Sequence, residues 1–205
     1  MDRYLITHTL LSSWSYVFSC WEDGNEAAYD DFLRTLNRLP SEETEAMRDG
    51  RAFEDEVYKE AAGLPRHPHP KWESGIKKVA AYIRNAPVQV RVKREIQVDG
   101  VTYLVYGILD ALKAGVIYDV KYVTKSFGSV DLAGKYLDSS QHPAYFYMVP
   151  EAYEFNYLVS DGTDLYKETY TPANTRPIAD IISEFIRSID GMGLLDLYKE
   201  KWLAR

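Results

Sequence analysis

Residues 107–123, GILDALKAGVIYDVKYV, place two aspartates and a lysine inside what otherwise reads as a pair of apolar strands. Successive strand side chains point to opposite faces, so residues two apart share a side. Asp119 and Lys121 therefore project together, roughly 7 Å apart along the strand, while Tyr118, Val120 and Tyr122 take the other face. The run VIYDVKYV is rich in the β-branched and aromatic residues that suit a pleated, half-buried surface. Upstream, YLVYGILDAL has the same character and ends in Lys113-Ala114-Gly115, whose glycine can supply the positive φ of a short hairpin turn. Asp110 and Asp119 are then expected on adjacent antiparallel strands, with Cβ atoms about 5 Å apart if they stand opposite. Two carboxylates that close repel unless a cation lies between them.

The rest of the chain supplies helices around this hairpin. Helices are expected over Thr7 to Trp21 and Asn25 to Leu36, the second on the helical spacing of Phe32 and Leu36. Pro40-Ser41 marks a break and an N-cap for a helix from about Ser41 to Ala62, with Glu42 and Glu43 in its first turn. Gly63 and Pro65 close it, and RHPHP turns into another helix over about Lys71 to Asn85. His67 and His69 read as part of a stiff linker between prolines, with no third ligand to make them a metal site. VQVRVKREIQV alternates as a strand with one solvated face, and Val98-Asp99-Gly100 turns it into the strand that carries Asp110. Asp131 to Asp138 and Ser140 to Val149 are expected to be helical, with Ser139 or Ser140 as N-cap and Pro143 in the first turn. YEFNYLVS and DLYKETYT read as paired strands around Asp161-Gly162. Helices over Ile178 to Ile189 and Gly193 to Leu203 follow, the last anchored by Leu195, Leu197 and Trp202. The expected class is α/β, a central mixed sheet flanked by helices with a helical N-terminal portion.

At 205 residues and 46% hydrophobic content, the chain fits one globular domain over 1–205 with a full core. A single cysteine, Cys20, excludes an intrachain disulfide. No apolar run reaches the ~18 residues of a membrane span, and Met1-Asp2-Arg3 leads into no clean signal-peptide core, so no membrane partner is expected and a reducing cytoplasm is the expected compartment. The formal charge of −7 argues against a coat that binds nucleic acid without regard to sequence, because such binding is driven by lysine and arginine displacing counterions. An acidic catalytic site is compatible with that charge, and any nucleic-acid contact is then expected on a small basic rim. Seventeen tyrosines invite base stacking, but only Tyr145 and Tyr122 lie close enough to the hairpin to be candidates.

Asp110 followed by Asp119-Val120-Lys121 across a hairpin resembles the PD-(D/E)xK nuclease superfamily. Two more elements stand in the order of its RecB-like and phage (lambda-type) exonuclease branch. Gly50-Arg51-Ala52-Phe53-Glu54 is similar to its G-x-x-x-(E/H) element, and Gln141-His142-Pro143-Ala144-Tyr145 to its Q-x-x-x-Y element. In a helix, positions four apart share a face, so Gln141 and Tyr145 can line one wall. The resemblance spans about residues 41–150, with a weaker echo in ITHTLLSSWSYVFSCW, similar to the opening helix of RecB-like nucleases. Some relatives carry a four-cysteine iron-sulfur cluster, which one cysteine cannot hold.

The resemblance implies a restriction-endonuclease-like core and Mg²⁺- or Mn²⁺-dependent hydrolysis of DNA phosphodiester bonds, with one or two ions. Asp110, Asp119 and the Val120 carbonyl would be principal metal ligands, and Glu54 would bind a second ion. Lys121 would orient or deprotonate the attacking water or neutralise developing charge. Gln141 and Tyr145 would position the nucleophile or the scissile strand, and Lys125 and Ser126 would contact phosphate. It further implies an exonuclease of phage or prophage recombination and repair, with DNA, a single-strand annealing protein and further copies of the chain as partners. Polarity, strand preference and end versus internal cleavage stay open. The readings from other classes are a nuclease-fold DNA-binding module without turnover and an unrelated metal hydrolase.

Overall fold

The computed structural model describes residues 2–19, 25–40, 43–129 and 132–204. The hairpin forms as its sequence dictates. Strand β3 (Val101–Lys113) pairs antiparallel with β4 (Val116–Tyr122) through Ala111↔Tyr118, Leu112↔Ile117 and Lys113↔Val116. The two turn residues, Ala114 and Gly115, have φ of 50° and 79°, the twist that suits a two-residue connection between antiparallel strands. Asp99 and Gly100, at φ 50° and 78°, make the same kind of turn between β2 (Val88–Val98) and β3.

Among the described residues the sheet has six strands. β2 runs antiparallel along nearly the whole of β3, from Val98↔Val101 to Val88↔Ala111. β3 has only one other edge, and two strands share it. Strand β1 (Arg3–Thr7) pairs in parallel with residues 102–106, and β4 pairs with residues 111–113. Between them, residues 107–110 face a fork. Beyond β4 the sheet continues with β5 (Glu154–Ser160), parallel, and β6 (Leu165–Tyr170), antiparallel. Residues 202–204 lie along the outer edge of β1: Leu5 N donates to the Trp202 carbonyl at 2.7 Å, and Ala204 N to the Arg3 carbonyl at 2.8 Å.

Helices cover both faces. On one side, α3 (Glu45–Ala61) and α4 (Glu73–Ile83) pack Phe53, Val57, Trp72, Ile76, Val79 and Ile83 against Ala111, Val120 and Leu158. The other side holds the larger core, where α1 (His8–Ser19), α2 (Asn25–Leu36), α5 (Gln141–Met148), α6 (Ile178–Gly191) and α7 (Leu195–Lys201) meet Val105, Leu109, Ile117, Phe155, Tyr157 and Val159. This is the α/β class expected, with a mixed sheet between helices and helices near the N-terminus. No helix among the described residues is long and apolar enough to cross a membrane.

Four local expectations are corrected. The chain opens with β1 before the first helix, which starts at His8; the expected end at Trp21 lies outside the described residues. A run such as Tyr4-Leu5-Ile6 is apolar in either conformation, and no turn residue separates it from the helix. The helix carrying Glu54 begins at Glu45, capped by Thr44, whose side chain accepts from Met47 N; Ser41 lies outside the described residues. Residues 132–138 form turns instead of a helix, with Gly134 at φ 71° breaking any helical run, and Asp131 lies outside the described residues. The last helix starts at Leu195, and its buried anchors are Tyr198 and Trp202, with Leu195 and Leu197 only partly covered.

Candidate active site

The site forms at the fork. The ladder between β3 and β4 ends at Ala111↔Tyr118, and just past its end Asp110 and Asp119 lie near enough for each to feel the other's charge. The Asp110 side chain reaches across to accept from Val120 N, Oδ2 to N at 2.8 Å. Two irregularities meet here. Along β3, Leu109 packs into the larger core and Ala111 into the smaller, so the alternation of faces changes phase at Asp110. The ladder with β2 skips Asp110 between Val90↔Leu109 and Val88↔Ala111, and the residue skipped on β2 is Gln89, a non-glycine residue at φ 52°. Residues held in this region cost of order 1–3 kcal/mol and tend to persist where a site requires them.

Asp119 is 3% exposed. Its Oδ1 accepts from Gln141 Nε2, at the start of α5. Its Oδ2 lies 2.8 Å from Lys121 Nζ, as the shared strand face predicts. That ammonium approaches off the hydrogen-bonding direction, so Oδ2 is buried without an aligned donor. Burial pulls the Lys121 ammonium down, but the charges of Asp119 and Asp110 outweigh it and hold Lys121 above the usual lysine value. Lys121 is therefore a cation in this arrangement, with about a third of its side chain open to solvent.

Burial, then the charges of Asp119 and Glu54, push the Asp110 carboxyl well above the usual carboxylate range. Glu54 is raised as well, chiefly by burial and then by Asp119, against the stabilising Tyr58 hydroxyl. Tyr58, one helical turn along α3, donates to Glu54 Oε1, and Gln89 Nε2 bonds both Tyr58 Oη at 2.8 Å and Glu54 Oε1 at 3.2 Å. Glu54 thus senses the aspartates electrostatically while its carboxylate is held by α3 and β2. Among the described residues, no three histidine, cysteine, aspartate or glutamate side chains are gathered closely enough to hold a metal ion. The donors that do fit a hard cation are the two aspartates, whose mutual repulsion and unaligned Asp119 Oδ2 one positive ion would relieve.

Tyr145 and Gln141 are both buried on α5, at 5% and 6% exposure. The Tyr145 hydroxyl donates to the Ile108 carbonyl at 2.7 Å, across the fork, and its ring lies against Gly107. Neither Tyr145 nor Tyr122 presents a free face for stacking: Tyr122 stacks on Phe53 at 5.0 Å and accepts from Trp72 Nε1 at 3.0 Å. Lys125 and Ser126 sit exposed in the bend that follows β4.

Sequence reasoning missed the support behind Lys121. His8, the first residue of α1, bonds Ser140 Oγ through Nδ1 at 2.9 Å, and burial, then the nearby Lys121 and His142, pull its pKa down to about 3. His142 meets Tyr157 Oη at 3.2 Å, stacks on Tyr170 at 4.0 Å and is pulled down by burial to about 4. The Glu54–Tyr58 spacing was a readable signal; His8 and Gln89 carried none.

The chain matches no protein-family model and no curated protein. Among solved structures it is similar to LHK-Exo in complex with dAMP, at 12% identity and a TM-score of 0.50, over 96% of this chain and 92% of that one. It also overlaps SSO0001, at 15% identity and a TM-score of 0.46, over 92% of this chain and 77% of that one. The likeness to LHK-Exo is one of fold alone.

Proposed function

We propose that residues 1–205 form one metal-dependent deoxyribonuclease unit, an exonuclease of phage or prophage DNA recombination and repair. The observation that carries it is the fork itself: Asp110 and Asp119 close together at the open end of the β3–β4 ladder, Lys121 beside Asp119, and an Asp119 oxygen that is buried without an aligned donor. Asp110 and Asp119, with the Val120 carbonyl, would hold Mg²⁺ or Mn²⁺, and Glu54 would serve a second ion by turning from Tyr58 and Gln89. When bound, such ions supply a nucleophilic water at neutral pH and stabilise charge on the phosphate.

The residues of the chain have separable tasks. Gln141 fixes Asp119 through Oδ1, leaving Oδ2 for the reacting centre. Lys121, held as an ammonium by the aspartates, donates to developing charge on the phosphate; this favours electrostatic stabilisation over a role as base. Tyr145 acts as a positioning residue by fixing the Ile108 carbonyl and the fork. Lys125 and Ser126 would meet the phosphate from the exposed loop after β4. A single-strand annealing protein and further copies of the chain are the proposed protein partners, and a bacterial or phage-infected cytoplasm the compartment.

The second reading is a DNA-binding module without turnover, favoured by the lack of a three-residue metal cluster among the described residues. Incubation of the chain with linear duplex DNA and Mn²⁺, beside Asp119→Ala, separates them. Metal-dependent loss of DNA by the wild type alone supports the nuclease; binding without cleavage by either protein supports the module. Cleavage of closed circles would remove the exonuclease assignment and keep the hydrolytic one, whereas turnover of small phosphoesters but not DNA would indicate an unrelated metal hydrolase.

A further inference from the structure

α3 and α4 cover the sheet over Ala111, Val120 and Leu158, but the N-terminal half of β3 and its β2 partner on that same side carry no helix among the described residues. The register fixes which side chains share this bare face. On β2, Val90, Val92, Ile96 and Val98 join the larger core, so Arg91 and Lys93 point the other way. Their partners across the ladder are Ile108 for Arg91 and Tyr106 for Lys93; beyond Val90↔Leu109 the ladder skips Gln89 and Asp110 and resumes at Val88↔Ala111. Lys93–Tyr106 and Arg91–Ile108 therefore form two successive rungs, about 7 Å apart, and the next residue on that side of β2, Gln89, bonds Glu54 at the site. Arg91 and Lys93 are exposed, and neither has an ion pair or a side-chain hydrogen bond among the described residues. Ile108 is 37% exposed and Tyr106 half-buried.

Two unpaired cations in a row on β2, beside an aliphatic and an aromatic side chain in a row on β3, are complementary to one nucleic-acid strand. The cations match phosphates, and a base can lie on the apolar rungs only when it is unpaired. Charge on an edge strand also deters pairing with another chain. That role needs cations anywhere on β2; it does not require them on the face that leads to Gln89 and Glu54, nor Tyr106 beside Lys93. Resting on the nuclease reading above, the geometry points to this bare half-sheet as the track on which a single DNA strand lies as it enters the site.

The test measures binding apart from cleavage, by fluorescence anisotropy of a labelled oligothymidylate in EDTA across a salt series. Arg91→Gln with Lys93→Gln is compared with wild type and with Lys167→Gln plus Lys199→Gln, an equal charge loss at exposed positions elsewhere. The track variant should weaken binding and flatten the plot of log affinity against log salt by about 1.4, two phosphates at ~0.7 each; the control should keep the wild-type slope. Tyr106→Ala should weaken binding by about tenfold with the slope unchanged. No binding by the wild type, equal slopes in all three proteins, or tighter binding of blunt duplex that ignores Tyr106→Ala would each overturn the track. Cleavage by a protein whose binding ignores these residues leaves the nuclease standing without the track. Track-dependent binding with no cleavage does the reverse.

Discussion

Gly107→Ala tests the contact that braces the fork. A Cβ there would lie 2.4 Å from Tyr145 Cε1 and 3.1 Å from its hydroxyl oxygen. The ring cannot swing clear, because it is 5% exposed and stacks against Phe155 at 6.0 Å. Overpacking of this kind costs about 1–3 kcal/mol, and losing the Tyr145–Ile108 hydrogen bond adds about 1 kcal/mol, so the variant should lose roughly 2–4 kcal/mol in all. Tyr145→Ala alone should cost about 3–5 kcal/mol through its cavity. With the ring gone, the added methyl meets open space, so Gly107→Ala in that background should cost almost nothing. The double-mutant cycle should then show a coupling of about 2–4 kcal/mol. Urea unfolding followed by circular dichroism measures all four proteins, with a constant slope against denaturant as the check on a common unfolded state. A neutral Gly107→Ala, or an equal cost in both backgrounds, would refute the packing described for the fork.

Mn²⁺ should raise the melting temperature of the wild type, by the equivalent of about 2.7 kcal/mol at a hundredfold excess over Kd, and leave that of Asp110→Asn unchanged; in EDTA, Asp110→Asn should itself melt higher, because it removes one of the repelling charges. For His142 the folded pKa of about 4 lies below its usual value of 6.5, so an unfolded chain takes up the proton first as pH falls. Its contribution is therefore complete above pH 6.5 and is lost towards pH 4. The stability advantage of wild type over His142→Gln should be flat above that window and shrink by about 1.4 kcal/mol per pH unit within it, read by urea unfolding across pH. Ala114→Gly should gain about 1 kcal/mol, because φ of 50° strains a Cβ and not a glycine; a lower denaturation midpoint would count against the turn geometry.

Much of the hairpin was legible because its signals are local. Alternation set Asp119 beside Lys121, and Gly115 marked the turn that brings Asp110 close to Asp119. The helices bearing Glu54 and Gln141 were legible in kind, though not in their first residues, since Thr44 and Ser41 are equally good caps. The fork was not legible. It requires β1, a short run about a hundred residues upstream, to take one half of an edge of β3 and β4 the other half. Gln89 was hidden for a related reason: nothing in an alternating strand shows which residue adopts a positive φ, because the opposing change of phase at Asp110 decides it. The turns at 132–138 defeated the helical pattern through Gly134 alone.

The short pairing of residues 202–204 along β1 has a practical consequence for handling the molecule. A sheet edge with bare N–H and C=O groups recruits other chains, and here the last described residues close the edge of β1 with bonds from Leu5 N and to the Arg3 carbonyl. Clipping those residues, or fusing a bulky tag against them, would uncover a strand that also forms one arm of the fork. Poor solubility after such a change would then report an opened edge rather than damage at the candidate site.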